Sequence, residues 1–266
     1  MSPVSALYVP GDRPDRFGKA AASGADVVIL DLEDAVAAEA KAAALADVTA
    51  YLAAPPTGPA FQVRVNAGAA HEIEAVRDTG ARVGLRIPKV EDPRELDEIA
   101  SLAPGLPLTA LIESARGLEA AAAVAAHPAV LEVALGEADL ASDLGSAEPL
   151  VLDHARVRLL VAARAAGLDA PMLSAYPAIA DLDGLRADTE RGRALGMRGR
   201  VAVHPKQLPV IRDVFAPTER ELAWARAVVG ALEHGGGVAT LPDGEMVDPA
   251  MLGRARRLLE RDGPLR

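Results

Sequence analysis

Eight short apolar runs, most of them separated by alanine- and leucine-rich segments, constrain what this chain of 266 residues can become. The runs cover residues 6–10, 26–31, 61–66, 82–88, 107–113, 130–136, 170–175 and 200–204. Between them apolar residues recur at three- and four-residue spacing, as from Arg156 to Ala166, the mark of helices with one buried face. Strand and helix alternating eight times predict an α/β protein, a (β/α)8 barrel in which parallel strands close into a cylinder. A doubly wound open sheet is the alternative, but no Gly-x-Gly-x-x-Gly follows the first strand. Asp12 reads as the N-cap of the first helix, with Pro14 in its first turn. Gly24 and Gly167 read as glycines that close helices ahead of strands.

The pattern changes after Phe215. Pro217 opens a helical segment from Thr218 to His234, Gly235-Gly236-Gly237 breaks it, and Pro242-Asp243-Gly244 fits a tight hairpin turn. A short basic helix follows from Pro249 to Arg261. The division expected is a catalytic barrel over 1–215 and a helical and hairpin extension over 216–266. At that size the extension is expected to pack on the barrel or on a neighbouring subunit.

Composition narrows the chemistry. Half of the residues are hydrophobic and the net charge is −10, which fits a soluble protein and argues against a nucleic-acid surface. There is no cysteine, so disulfides, thiolate metal sites, iron–sulfur clusters and a cysteine nucleophile are excluded. No apolar stretch is long enough to span a bilayer, and Met1-Ser2-Pro3-Val4 lacks the basic start of a signal peptide, so the expected location is the cytoplasm.

Three of the apolar runs end in acids: Asp31-Leu32-Glu33-Asp34, Ile112-Glu113-Ser114 and Gly136-Glu137-Ala138-Asp139. Carboxylates at buried strand ends carry a large desolvation cost unless a cation meets them, and barrels place their chemistry at those ends. Arg64, Asn66, Lys89, Tyr176 and His204 fall on the same rim. Glu113 and Asp139 are the metal ligands expected, because magnesium takes hard oxygen ligands and is usually held by one or two carboxylates. Pairing of each acid with a nearby arginine is the competing reading. Arg64, inside the alternating Val63-Arg64-Val65-Asn66, suits a substrate carboxylate or an internal salt bridge to Asp31 or Glu33, and the two coexist. Arg13, Arg16 and Lys19, at the start of the first helix, suit a phosphate-bearing substrate or a plain basic face. His204 has no second histidine at metal-ligand spacing, so zinc is not expected.

Tyr8-Val9-Pro10-Gly11-Asp12-Arg13-Pro14-Asp15-Arg16-Phe17, Leu30-Asp31-Leu32-Glu33-Asp34-Ala35-Val36, Arg64-Val65-Asn66, Ile87-Pro88-Lys89, Leu111-Ile112-Glu113-Ser114-Ala115-Arg116-Gly117 and Val203-His204-Pro205-Lys206-Gln207 together resemble the citrate lyase beta-subunit family, within the magnesium-dependent aldolases and acyl-CoA lyases. The resemblance implies lysis or formation of a carbon–carbon bond in a 3-hydroxyacyl thioester of the citryl-CoA, malyl-CoA or citramalyl-CoA type. It implies Mg2+ at Glu113 and Asp139, Arg64 on the keto-acid half, and Asp31, Glu33 and Asp34 as acids that order metal-bound water. Arg16 and Lys19 then lie near the substrate or CoA entrance. Relatives often read Gly-Ala-Glu-Asp where this chain has Gly136-Glu137-Ala138-Asp139, so Glu137 is left off the ligand set; a one-residue shift on a strand would flip it to the other face. Gly244-Glu245-Met246-Val247-Asp248-Pro249 resembles a segment whose aspartate reaches into a neighbouring subunit as acid/base. Asp248 followed by Pro249 also reads as an ordinary helix cap.

The resemblance implies a homo-oligomer, trimer or hexamer, and leaves room for acyl-carrier or other citrate lyase subunits as partners; neither nucleic acid nor membrane is expected. An aldolase acting on a free hydroxy-keto acid and a non-catalytic metabolite-binding barrel are the alternatives.

Overall fold

The computed structural model describes residues 3–54, 58–235 and 237–261. Two compact units divide them, one over 3–214 and one from Phe215 onward. In the first, eight parallel strands form a nearly closed barrel: β1 (Ser5–Pro10), β2 (Val27–Asp31), β3 (Ala60–Arg64), β4 (Val83–Ile87), β5 (Leu108–Ile112), β6 (Val130–Leu135), β7 (Met172–Leu173) and β8 (Gly199–Ala202). The order is β6-β5-β4-β3-β2-β1-β8-β7. The helices are α1 (Pro14–Ala21), α2 (Lys41–Ala53), α3 (Ala70–Asp78), α4 (Pro93–Leu102), α5 (Ala115–Ala125), α6 (Glu137–Leu144), α7 (Pro149–Ala165), α8 (Leu182–Leu195) and α9 (Leu208–Phe215).

The strands β2, β4 and β5 are buried at every residue. That is why they read as mostly apolar runs, interrupted only by Arg86 in β4 and Thr109 in β5: a barrel strand has side chains on one face and helices on the other. Ala6, Val27, Ile29, Met172 and Val201 pack together in one buried cluster with Tyr8 against it. A polar layer is also present. Gln62 Nε2 donates to Thr109 Oγ1 at 3.1 Å, and Arg198 Nη2 donates to Glu132 Oε1 at 2.6 Å. Between β6 and β7, Ser174 acts as a clasp. Its hydroxyl donates to the Leu135 carbonyl and accepts from the Glu137 N–H at 3.3 Å.

Helix starts after the strands are fixed by caps. Asp92 accepts from Arg94 N at 2.9 Å for α4, Ser114 from Gly117 N at 3.0 Å for α5, and Asp181 from Gly184 N at 2.9 Å for α8. Two expectations need correction. Arg13, not Asp12, occupies the N-cap position of α1 and makes no side-chain capping bond, because Pro14 is already the first helical residue and Asp12 lies one residue too early. The seventh strand is only Met172–Leu173, not the whole of 170–175: its ladder to β8 is limited to Met172 with Gly199 and Leu173 with Arg200, and the next residue, Ser174, bonds the Leu135 carbonyl through its side chain.

In the second unit, α10 (Glu219–Gly235) and α11 (Leu252–Arg261) pack with a hairpin of β9 (Ala239–Thr240) and β10 (Met246–Val247). Ala225, Val228, Leu232, Leu241, Val247 and Ala255 form its buried core. Gly244, at φ 91°, closes the hairpin turn with its N–H on the Leu241 carbonyl at 2.9 Å.

A Cβ added at Gly199 would collide with the Val4 carbonyl, a backbone group that cannot rotate away. Gly199→Ala is therefore expected to lower unfolding free energy by about 1–3 kcal/mol in a urea titration; an unchanged midpoint would contradict this packing of β8 on β1.

Candidate active site

Arg64 ends β3 and Asp31 ends β2, and the two are direct partners in register. Arg64 Nε and Nη2 hold Asp31 Oδ1 and Oδ2 at 2.7 and 2.6 Å, a bidentate fork. Its Nη1 donates to Asp34 Oδ2 at 3.0 Å and lies 2.9 Å from Glu33 Oε2. That Glu33 oxygen is buried and accepts no well-directed hydrogen bond; it is held by charge alone. The guanidinium also sits 4.9 Å from the centre of the Tyr8 ring. Burial pulls the Arg64 pKa down, but the Asp31 hydrogen bond and the charges of Asp31 and Glu33 raise it above its ordinary value.

The loop bearing these acids is tied from below. Asp31 accepts from Glu33 N at 3.0 Å, and Lys41 Nζ donates to the Leu32 and Glu33 carbonyls at 2.9 and 3.0 Å. Asn66 links the Leu32 carbonyl, at 2.8 Å, to Glu72, at 2.7 Å. Lys41 and Glu72 are positioning residues that the sequence did not reveal, because each lies on a helix that carries no motif of its own.

Glu113 follows β5 and is 5% exposed. Its Oε1 accepts the Lys89 N–H at 2.6 Å. Lys89 has φ 56°, a left-handed conformation that side-chain-bearing residues seldom adopt. Its Nζ lies 3.1 Å from Glu33 Oε1. Burial pushes the Glu113 carboxyl up to about 7; the Lys89 N–H opposes, the charges of Glu33 and Asp139 add, and Arg64 opposes. Burial likewise raises Glu33 against the pull of Arg64 and Lys89. Gly136 makes room for this carboxylate: a Cβ there would collide with Glu113 Oε2.

Asp139 sits in the first turn of α6 and is close enough to Glu113 to act on its charge. Among the described residues no group of three or more histidine and acidic side chains is arranged to ligate one ion. A hard cation here would therefore rest on two carboxylates and fill its remaining positions with water or substrate oxygens.

Glu137 lies at the start of that helix rather than on a strand. A one-residue shift there rotates the side chain about 100° instead of flipping it across a sheet, and it meets Arg156 Nε and Nη2 at 2.9 and 2.8 Å. Arg156 also donates to Asp153 and Asp188, both at 3.1 Å. This buried network, extended by Arg200 on Asp188, was not visible in the sequence.

Arg16 and Lys19 line a cavity of about 490 Å³ with Tyr8, Arg13, His204 and Pro205. Arg13 is paired with Asp15 at 3.1 Å. His204 Nδ1 accepts from Lys206 N at 3.1 Å, and Tyr176 donates its hydroxyl to Asp181 at 2.6 Å. Asp248, in the second unit, accepts from Ala250 N at 2.9 Å as the cap of the turn Pro249–Met251.

Residues 4–205 match the family model described as HpcH/HpaI aldolase/citrate lyase. The chain belongs to this family. A (3S)-malyl-CoA thioesterase of Cereibacter sphaeroides is 38% identical over 97% of this chain and 93% of its own length. A citrate lyase subunit beta-like protein of Mycobacterium tuberculosis is 37% identical over 97% and 94%. The crystal structure of the CitE protein of Mycobacterium tuberculosis, in complex with magnesium, acetoacetate and coenzyme A, superposes with a TM-score of 0.84 at 35% identity, covering 99% of both chains. Among the described residues of this family member, no helix is long and apolar enough to cross a membrane.

The Glu113 shift carries a pH signature. Its folded pKa of about 7 lies above the ordinary 4.5, so the folded state holds this proton more tightly than the unfolded chain. Stability of the metal-free protein is then fullest below 4.5 and is lost as pH rises through about 7, by on the order of 3 kcal/mol. Urea titrations in EDTA should show this decline, and Glu113→Gln should flatten it; equal slopes in both proteins would contradict the assignment.

Proposed function

We propose that the chain is a magnesium-dependent carbon–carbon lyase that cleaves a 3-hydroxyacyl thioester of the citryl-, malyl- or citramalyl-CoA type to acetyl-CoA and a keto acid. The observation that carries this reading is the Glu113 carboxyl, buried beside Glu33 and Asp139 and pushed up to about 7 by burial and by their charges. A divalent cation relieves that cost, and the donors present are hard carboxylate oxygens in a chain without cysteine, the chemistry magnesium prefers. Glu113 and Asp139 would hold it. Bound there, magnesium supplies Lewis-acid stabilisation of negative charge on a substrate oxygen.

The chain's own groups account for the rest. Arg64, fixed by Asp31, presents a permanent cation to the carboxylate and hydroxyl oxygens of the acid half. A water ordered by Asp31, Glu33 and Asp34 takes the hydroxyl proton, and the oxygen's electron pair forms the keto-acid carbonyl as the neighbouring carbon–carbon bond breaks. The electron pair of that bond passes to the thioester carbonyl as an enolate. Asp248, in this reading supplied by a neighbouring subunit of a trimer or hexamer, returns a proton to the acyl carbon. Asp31, Glu33 and Asp34 order water, and Arg16 and Lys19 face the phosphates of CoA.

The 38% identity with a malyl-CoA thioesterase supports a second reading, in which water attacks the thioester carbonyl and the products are free hydroxy acid and CoA. Incubating the protein with magnesium and each of the three thioesters, with and without EDTA, separates them. The lyase reading expects acetyl-CoA with a keto acid from one thioester, only without EDTA. Free CoA with intact hydroxy acid would overturn it in favour of hydrolysis; turnover of a free hydroxy-keto acid without any CoA effect would favour an aldolase. Glu113→Ala is expected to lower turnover by about a hundredfold or more, and full activity in that variant would remove Glu113 from the site.

A further inference from the structure

Asp143 stands where its own helix disfavours an acid. It lies in the last turn of α6, and that turn holds no basic residue. A helix C-terminus bears partial negative charge, so a carboxylate there is unfavourable to the helix that carries it. The compensation comes from another helix. Asp143 Oδ2 accepts the Ala115 N–H at 2.7 Å. Ala115 is the first residue of α5, and its N–H is one of the donors that a helix start leaves without an internal partner. Ser114 serves a different one, that of Gly117. The acid that α6 disfavours thus acts as a second cap of α5, where the dipole welcomes negative charge.

This bond fastens the far end of α6. The near end is fastened as well: the Gly136 N–H donates to the Ile112 carbonyl at 2.9 Å. The approach there is so close that a Cβ on Gly136 would collide with Glu113 Cβ and Oε2. Residues 136, 139 and 143 are spaced by three and four, so they share one side of the helix. Asp139 is therefore carried between two fixed points, and both points lie on the segment 112–115, which bears Glu113. Asp143 does not join the two as a third ligand: among the described residues no three acidic or histidine side chains are gathered for one ion.

We propose that Asp143 is a positioning residue for the metal pair: its bond to the Ala115 N–H fixes α6 against α5 and so holds Asp139 and Glu113 at the separation that one cation needs. This rests on the metal-dependent reading above and adds a residue to it. Groups that orient metal ligands without touching the ion change affinity by about ten- to a hundredfold when removed. Asp143 is exposed, so its replacement leaves no cavity behind.

Titration of the metal-free protein with manganese tests this. Manganese takes the same hard oxygen ligands as magnesium, and the paramagnetic signal of the free ion reports binding. The site counted is the one that Glu113→Gln removes, and urea midpoints are measured alongside. Asp143→Ala loses the acceptor and should weaken binding about tenfold or more. Asp143→Asn keeps an oxygen for the Ala115 N–H while losing the charge, and should restore most of the affinity. Gly199→Ala, at the start of β8 and so at the opposite end of the barrel, should lose stability without losing affinity. Unchanged affinity in Asp143→Ala would overturn the proposal alone. So would an equal loss in the alanine and asparagine variants, which would make the effect one of charge, or an equal loss in Gly199→Ala, which would make it one of general stability. Wild type without any site that Glu113→Gln removes would overturn the metal reading and this proposal with it.

Discussion

The Arg64 guanidinium grips both oxygens of Asp31 at 2.7 and 2.6 Å, and the rest of the rim is arranged around that pair. It joins β2 to β3 at their ends, anchors the loop that carries Glu33 and Asp34, and rests on Tyr8. Yet it does not balance the charge it collects. Arg64 and Lys89 stand among Asp31, Glu33, Asp34, Glu113 and Asp139, so negative charge is left over where water is scarce. A buried carboxylate in this setting either keeps its proton or finds a cation. The raised Glu113 and Glu33 express the first outcome, and a divalent ion bound there would supply the second.

The scaffold holds this imbalance in place with ordinary devices of the barrel. Ser114 caps α5 and bonds Glu91 at 2.6 Å, which fixes the backbone next to Glu113. Lys89 takes a strained φ of 56° while its N–H points to Glu113. Arg156, itself buried, fixes Glu137 at the head of α6 and so sets the direction of the turn that bears Asp139. The acids therefore do not relax apart. Local strain and like-charge crowding persist only where surrounding structure over-determines them, and here caps, ion pairs and a glycine at 136 do so.

Much of this was legible in the sequence, for reasons that differ by residue. Runs such as Val27-Val28-Ile29-Leu30 announce strands buried on both faces, and the acids at their ends announce the rim. Arg64 stood out because an arginine inside an alternating strand needs an anion. Arg86, inside Leu85-Arg86-Ile87, is the same kind of residue, but the motif in that segment is Ile87-Pro88-Lys89, which lies beyond it. Arg156, Lys41 and Glu72 could not be found, since a charge on a helix face looks solvated until its partner, up to 32 residues away for Arg156 and Asp188, is brought against it. Asp12 was misplaced by one residue because Pro14 and an acid before it suit two cap registers. The polar layer of Gln62, Thr109 and Glu132 breaks the apolar pattern that identified the strands, and only closure of the barrel shows it satisfied.

Crystals of the protein soaked with manganese, with anomalous difference maps calculated at the manganese edge, would test the central claim most directly. The account predicts one peak bonded to Glu113 and Asp139, and its disappearance in Glu113→Gln. Manganese bound elsewhere on the barrel, or a peak that survives that substitution, would contradict it.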